Sequence, residues 1–219
     1  TGTAMFTILA GTGTNPAING EVRITNLMLD GSKLTTGTAS GIHAAGNVQN
    51  VVMRDVCIRK MPGNGIVATT EVAGVLPYSW RLHSVMTDNC KGDGYSFDRH
   101  TDLTMNDCQA IGNGGSGFKL INCANSTLSI CRAEWNAAYG FWLTGAWGNW
   151  PGSGSGTMNA CSTDRNAWDG VRVDATGNGA FLINALMTRR DGRNNGPGGG
   201  KYAGLALLNQ APVVVTGVT

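Results

Sequence analysis

Charge is the scarcest commodity in this sequence. Asp, Glu, Lys and Arg make up 14% of its 219 residues, against roughly 25% in an average globular protein. The signs nearly cancel, to a formal net charge of +2, and no block of like charge occurs. Nucleic-acid binders and electrostatic membrane binders need such a block, so neither partner is expected. No apolar run reaches the roughly 18 residues of a membrane-spanning helix. The opening stretch TGTAMFTILAGTG carries no basic segment of the kind that starts a signal peptide. The six cysteines form no CxxC pair and no Cys/His spacing of a zinc site. No cofactor is expected, and Ca2+ has no supporting motif. Helical periodicity is also missing, because glycines interrupt every stretch.

What is present is glycine, 33 residues of it, about twice the usual share of roughly 7%. With apolar content at 42%, the chain is not a disordered tract. The glycines recur in a pattern of glycine, apolar, any residue, apolar. It reads GIHA at 41, GIVA at 65, GYSF at 94, GFKL at 117, GFWL at 140, GVRV at 170 and GLAL at 204. A second short strand follows each one, as in VVMRDV, SWRLHSV, LTMNDC, LSICRA, TMNACS and FLINALM. Strands of 3–6 residues joined by Gly/Asn turns account for units this short. Propeller blades need about 40 residues. The pattern therefore predicts an all-β chain: a right-handed parallel β-helix of about seven coils, one module over residues 1–219, with coils stacked about 4.8 Å apart. The repeat glycine is expected to allow a tight turn at positive φ. The ends look uncapped, because MFTILAG starts mid-coil and APVVVTGVT is a bare strand. A solenoid needs caps, so the chain is expected to be part of a longer one, or sealed by other subunits as in a homotrimer.

Alternation places Tyr95/Phe97, Phe118/Leu120, Phe141/Leu143 and Val171/Val173 inside. Cys108, Cys131 and Cys161 each lie nine residues before a repeat glycine and should stack inward. Parallel Cβ vectors at the coil spacing exceed the roughly 3.5–4.5 Å that a disulfide wants, so free buried thiols are expected. Asn113, Asn136 and Asn166, each four residues before a glycine, read as turn formers. The sequon NST at Asn125 is a weak glycosylation signal.

The outward positions of the first strand include His43, Ser96, Asp98, Lys119, Ile121, Trp142, Thr144, Arg172 and Asp174. Two long connections, TEVAGVLPYSW with Tyr78 and Trp80 and GAWGNWPGSGSG with Trp147 and Trp150, follow the same strand in different coils. Two aromatic walls are thus expected to flank a floor of Asp98, His100, Asp102 and Lys119, with Trp142 at its margin. Rings beside charged groups suit a polar sugar chain. The stretch FDRHTD supplies most of that floor, although a charged strand end with Asp98 paired to Arg99 or Lys119 explains it equally. Glu134 and Asp164 form a second candidate pair about one coil apart, near the roughly 5–5.5 Å separation of retaining glycosidases. Arg132, Arg165 and Arg189 share that register, which favours a neutralised charge row. Asp98 and Asp174, about 14 Å apart, are too distant for two-carboxylate hydrolysis. A lyase or epimerase needs a base and a cation that neutralises a uronate carboxylate; Lys119, His100, Tyr95 and Arg172 are the available types.

The Gly-apolar-x-apolar coils and Asn turns resemble the pectate-lyase-like superfamily of right-handed β-helices. That superfamily includes polysaccharide lyases, glycoside hydrolases, C5-epimerases and phage tail-spike depolymerases. The segment GYSFDRHTDLTMNDCQAIGNGGSGF is similar to the mannuronan C5-epimerase stretch around YGFDPH. That likeness implies acid/base and substrate-binding roles for Tyr95, Asp98 and His100. Arg99 replaces the proline of that motif, Ile121 stands where that family has an aspartate, and Ala138 where it has an arginine. CRAEWNAAYGFWLTG, CSTDRNAWDGVRVDATGNG and RRDGRNNGPGGGKYAGLAL resemble β-helix modules of phage minor tail and tail-spike proteins. The likeness implies an extracellular or virion-associated module that binds and cleaves a surface polysaccharide. The alternatives are a uronate lyase or epimerase, and a structural or receptor-binding shaft without turnover. Catalysis would fall to Asp98, His100, Tyr95 and Lys119. Substrate binding would fall to Trp142, Trp147, Trp150, Trp80, Arg172 and Asp102.

Overall fold

Alternation after each repeat glycine builds the first wall of the fold. A computed structural model describes residues 4–9, 21–69, 77–147, 155–177, 179–192, 202–208 and 212–219. Among them nineteen strands form and no helix, so no helix is long and apolar enough to cross a membrane. One parallel sheet contains β1 (Ala4–Leu9), β3 (Ser40–Ala45), β5 (Ile66–Thr69), β7 (Tyr95–Asp98), β10 (Phe118–Ile121), β13 (Phe141–Trp147), β16 (Val171–Gly177) and β18 (Leu205–Leu207), in that spatial order. The second, eleven-stranded sheet takes the intervening segments. These are β2 (Val22–Asp30), β4 (Val51–Arg59), β6 (Arg81–Asp88), β8 (Thr104–Asn106), β9 (Gln109–Ile111), β11 (Ser126–Ser129), β12 (Arg132–Glu134), β14 (Ser155–Asn159), β15 (Ser162–Asp164), β17 (Ala180–Arg189) and β19 (Val213–Val218). The chain thus alternates between two walls, each strand pairing in parallel with its counterpart one coil away. This is a parallel β-helix.

Register makes the core. Tyr95, Phe118, Phe141 and Val171 are successive partners, as are Phe97, Leu120, Leu143 and Val173. All eight are buried. The Tyr95, Phe118 and Phe141 rings stack with centroids 4.6 Å apart at each step, the coil spacing itself. Cys108, Cys131 and Cys161 are free and buried, in one column with Val85 below and Leu186 above. Hydrogen bonding among the thiols, together with burial, pushes Cys131 and Cys161 well above the ordinary thiol range.

The repeat glycine serves close approach, not the positive φ expected of it. None of Gly41, Gly65, Gly94, Gly117, Gly140, Gly170 or Gly204 is among the positive-φ residues. A Cβ on Gly94 would meet the Gly117 carbonyl oxygen at 2.6 Å, and one on Gly117 would meet that of Gly140 at 2.7 Å. Coil stacking leaves no room for a side chain there.

The turning is done elsewhere, by single residues in left-handed conformations aligned from coil to coil. One such column bends the second wall: Asn26, Asp55, Ser84, Asp107, Ile130, Ala160 and Ala185, all with φ between 51° and 55°. Asn and Asp tolerate this region; a β-branched residue does not. Ile130 is 58% exposed there, so its side chain contributes little packing. Ile130→Asn is expected to stabilise the fold by about 1 kcal/mol. A thermal melt checks this, and an unchanged or lower Tm contradicts it.

The asparagines before the turns do more than form them. Asn113, Asn136 and Asn166 are buried, one above another. Each side-chain amide donates to the next residue's Oδ1: Asn113 to Asn136 at 3.0 Å, Asn136 to Asn166 at 2.9 Å, and Asn166 to Asp191 at 2.8 Å. Each Oδ1 also accepts the backbone N–H one coil below, from Cys90 up to Asn166, at 3.0–3.1 Å. The ladder runs one way and ends on the Asp191 carboxylate, whose other oxygen accepts from Thr163 at 2.6 Å. Burial raises the Asp191 pKa against those hydrogen bonds.

Candidate functional site

The outer face of the first sheet carries the chemistry. Strand register puts Ser96, Lys119, Trp142 and Arg172 in one column and Asp98, Ile121, Thr144 and Asp174 in the next. Lys119 reaches Asp93 at 3.7 Å, and its Nζ lies 4.9 Å from the Trp142 ring centroid. The Trp142 indole N–H donates to Asp174 at 2.9 Å, and Arg172 Nε donates to the same carboxylate at 2.8 Å. Arg172 also reaches Asp169 at 3.5 Å and lies 5.3 Å over Tyr139. Burial alone would push the Asp174 carboxyl up, but hydrogen bonds from Arg172, Thr144 and Trp142 hold it below the usual range. Tyr139, buried at 9% exposure, packs beneath this face: its ring lies 5.1 Å from Trp142 and 4.9 Å from Trp168, and Trp168 stacks with Tyr202 at 5.9 Å. Three partly exposed rings over the buried Tyr139 and two ion-paired cations thus form a strip across four coils, anchored by residues just before the repeat glycines.

The expected floor is only partly assembled. Asp98 faces out, accepting from Asn122 at 3.0 Å, with Arg99 at 3.5 Å; it is a paired strand-end charge. Lys119, Trp142 and Arg172 share the strip. Asp102 is exposed at a left-handed corner, where Asn125 donates to it at 3.3 Å.

Three expected site residues turn inward instead. Tyr95 is fully buried and donates its hydroxyl to the Val85 carbonyl at 2.6 Å. Burial lifts its pKa well above 10, so it offers no surface acid or base. His100 is fully buried, its ring edge-on to Trp80 and Phe97 at 5.2 and 5.4 Å. Trp80 is fully buried too, its indole N–H bound to the Val48 carbonyl at 2.8 Å, so it builds no wall. Tyr95 follows strand alternation; for His100 and Trp80 the reason is local, since Arg99 and Ser79 take left-handed conformations and alternation does not carry across them. Of the other wall, Trp147 is the last residue of β13, and Trp150 lies outside the described residues.

Glu134 and Asp164 are register partners one coil apart. Arg132 pairs with Glu134 at 3.2 Å. Asp164 accepts from Arg165 at 3.2 Å, Arg189 at 3.4 Å and Arg190 at 2.7 Å. Both carboxylates of this candidate pair are thus tied to arginine. Among the described residues, no three His, Cys, Asp or Glu side chains gather closely enough to hold a metal ion.

Sequence reasoning missed Tyr139, Trp168 and Tyr202. The available signal was position, since Tyr139 precedes its repeat glycine by one residue and Trp168 and Tyr202 precede theirs by two. A residue there sits at the lip where the chain enters the first sheet.

Stacked parallel walls with an aromatic and ionic strip on one face define a parallel β-helix with a ligand-sized polar surface. The chain belongs to the right handed beta helix region family, which residues 12–151 match. No curated protein matches it. Two solved structures are similar to it at low identity. Tailspike protein 2 from Escherichia coli O157:H7 bacteriophage CAB120 is 10% identical over 82% of this chain and 34% of its own, with a TM-score of 0.35. The A-module of Azotobacter vinelandii mannuronan C-5 epimerase AlgE4 is 14% identical over 90% of this chain and 73% of its own, with a TM-score of 0.36. The chain therefore spans about a third of the tailspike chain.

Proposed function

We propose that this chain is an extracellular or virion-borne module that binds a polysaccharide along the outer face of its first sheet. The observation that carries the reading is the strip of the partly exposed Trp142, Trp168 and Tyr202, packed about the buried Tyr139, with the Lys119 and Arg172 ion pairs. Aromatic faces with polar tips offer apolar area to sugar rings while their surroundings bond hydroxyls. Among the described residues each cation of this strip and of the Asp98 strand end already has a carboxylate: Lys119 has Asp93, Arg99 has Asp98, and Arg172 has Asp169 and Asp174. A hydroxyl-rich, weakly charged glycan matches such a surface better than a polyuronate does. The interior positions of Tyr95 and His100 favour binding over epimerase-like or lyase-like turnover.

Trp142→Ala is expected to weaken binding about tenfold, the equivalent of ~1.4 kcal/mol, with the fold kept. A polysaccharide panel read by biolayer interferometry, alongside a thermal melt, measures this. Equal binding by wild type and variant refutes the site. Reducing-end release and unsaturated-uronate absorbance, followed on the same panel, are expected to stay flat. A rise abolished in Asp98→Ala would make the module a degrading enzyme instead.

A further inference from the structure

The remaining charge gathers at a different corner of the coil, where the second wall ends. Left-handed residues stack there as Lys60, Asn89, Gly112, Trp135, Arg165 and Arg190. Their backbone N–H groups donate from coil to coil along the column, as from Trp135 to the Asp164 carbonyl at 3.0 Å and from Arg165 to that of Arg189 at 3.0 Å. Lys60 to Arg190 is five coil steps, or about 24 Å at the strand spacing. At the Lys60 end lies an open cleft of about 480 Å³, whose lining includes Lys60, Asn89 and Lys91. At the other end, Arg132, Arg165, Arg189 and Arg190 face two carboxylates, Glu134 and Asp164.

Arg190 engages Asp164 through both Nε, at 3.0 Å, and an Nη, at 2.7 Å. Arg189 adds one long contact at 3.4 Å and is 57% exposed, so most of its fork points to solvent. Arg165 lies over the Trp135 ring at 4.6 Å, and Trp135 is 44% exposed. The largely exposed Arg189 guanidinium and the 44% exposed Trp135 indole thus give this corner planar donors and a flat apolar face together. Carboxylate and sulfate groups match those donors bidentately.

We propose that this corner is a second binding site, for a linear acidic polysaccharide bearing carboxylate or sulfate groups, running parallel to the coil axis. Cations at both ends of the column suit a polymer rather than a single anion. The small Asn89 and Gly112 between them leave the path low. The carboxylates retained along the column, Asp88, Glu134 and Asp164, would repel the closely spaced phosphates of a nucleic acid, yet can accept sugar hydroxyls. The site does not depend on the aromatic strip of the first sheet.

The test is binding of purified protein to polygalacturonate, dextran sulfate, neutral dextran and duplex DNA at low and high salt. Binding is expected to the two acidic polysaccharides, weakening with salt, and not to neutral dextran. Comparing the two acidic polymers tells carboxylate from sulfate. Arg189→Gln removes an exposed charge and should cost about fivefold in affinity and flatten the salt dependence. Trp135→Asn suits the left-handed backbone and should cost about as much without lowering Tm. Trp142→Ala should leave this binding unchanged, which keeps the two sites distinguishable. No binding to either acidic polymer, equal binding by both corner variants, or tighter binding to DNA overturns the proposal.

Discussion

Asn136→Ala is expected to cost about 4 kcal/mol, a large part of the roughly 5–15 kcal/mol that holds a domain together. The side chain is fully buried and sits at the centre of the amide ladder. Its Oδ1 accepts from the Asn113 backbone at 3.1 Å and from the Asn113 amide at 3.0 Å. Its amide donates to the Ala110 carbonyl at 3.0 Å and to Asn166 at 2.9 Å. Alanine leaves the Asn113 backbone N–H without its acceptor and the Ala110 carbonyl without this donor, in the dry interior. Each buried unsatisfied group costs about 1–3 kcal/mol, and the cavity adds to that. Asn136→Asp should be no better, because a carboxylate cannot donate to Ala110 or Asn166 and brings a charge into the core. Asn125→Gly is the contrast. Asn125 is exposed, its φ of 48° suits glycine, and it makes one side-chain bond of 3.3 Å; a loss under about 0.5 kcal/mol is expected. Urea unfolding of the three variants measures the difference. An Asn136→Ala midpoint close to wild type would show that the ladder contributes order but little stability.

The ladder also marks where reading from letters stopped. The columns of Phe97, Leu120 and Leu143 follow from one rule, alternation counted from a glycine, and that rule holds as long as the backbone stays extended. The three thiols followed from the same register. The asparagines lay in register too, but a short polar side chain before a turn has an adequate local explanation, and nothing local says that it points inward to bond its own copies. The corners were the other limit. Past Asp98 the chain takes a left-handed step at Arg99, so His100 falls inside rather than on the floor where it was expected. Ser79 does the same to Trp80. Two estimates of Tyr95 disagreed within the sequence itself. Alternation put it in the core, whereas its likeness to an epimerase motif gave it a surface role. The packing of Tyr95 on Phe118 and its bond to Val85 follow the alternation. The candidate strip was half legible, because Lys119, Trp142 and Arg172 lie on an extended strand, whereas Tyr139, Trp168 and Tyr202 lie at a turn.

His100 gives the fold a second weakness, and this one depends on pH. Among the described residues neither ring nitrogen finds a hydrogen-bond partner, and the ring is enclosed by Trp80 and Phe97. Burial penalises the imidazolium and lowers the pKa from 6.5 to about 3, outweighing the Thr101 backbone, which acts to raise it. Above pH 6.5 folded and unfolded chains both hold a neutral imidazole, and His100 puts no pH dependence on stability. As pH falls below 6.5 the unfolded chain takes up a proton that the folded chain refuses, so unfolding becomes steadily easier. The loss is complete near pH 3, where the folded ring finally protonates. A gap of about 3.5 pKa units at about 1.36 kcal/mol per unit corresponds to roughly 4–5 kcal/mol over that window. His100→Phe keeps an aromatic ring in the same cage and cannot take the proton. Its unfolding free energy should fall far less between pH 6.5 and 3 than that of the wild type. At pH 7 the variant should be at least as stable, because it no longer buries two unpaired nitrogens. Urea titrations of both proteins at half-unit pH steps isolate the term, since every carboxylate contribution is common to the two. Parallel curves across the window would mean that His100 protonates in place, through a partner or an opening of the Trp80 cage that this packing does not contain.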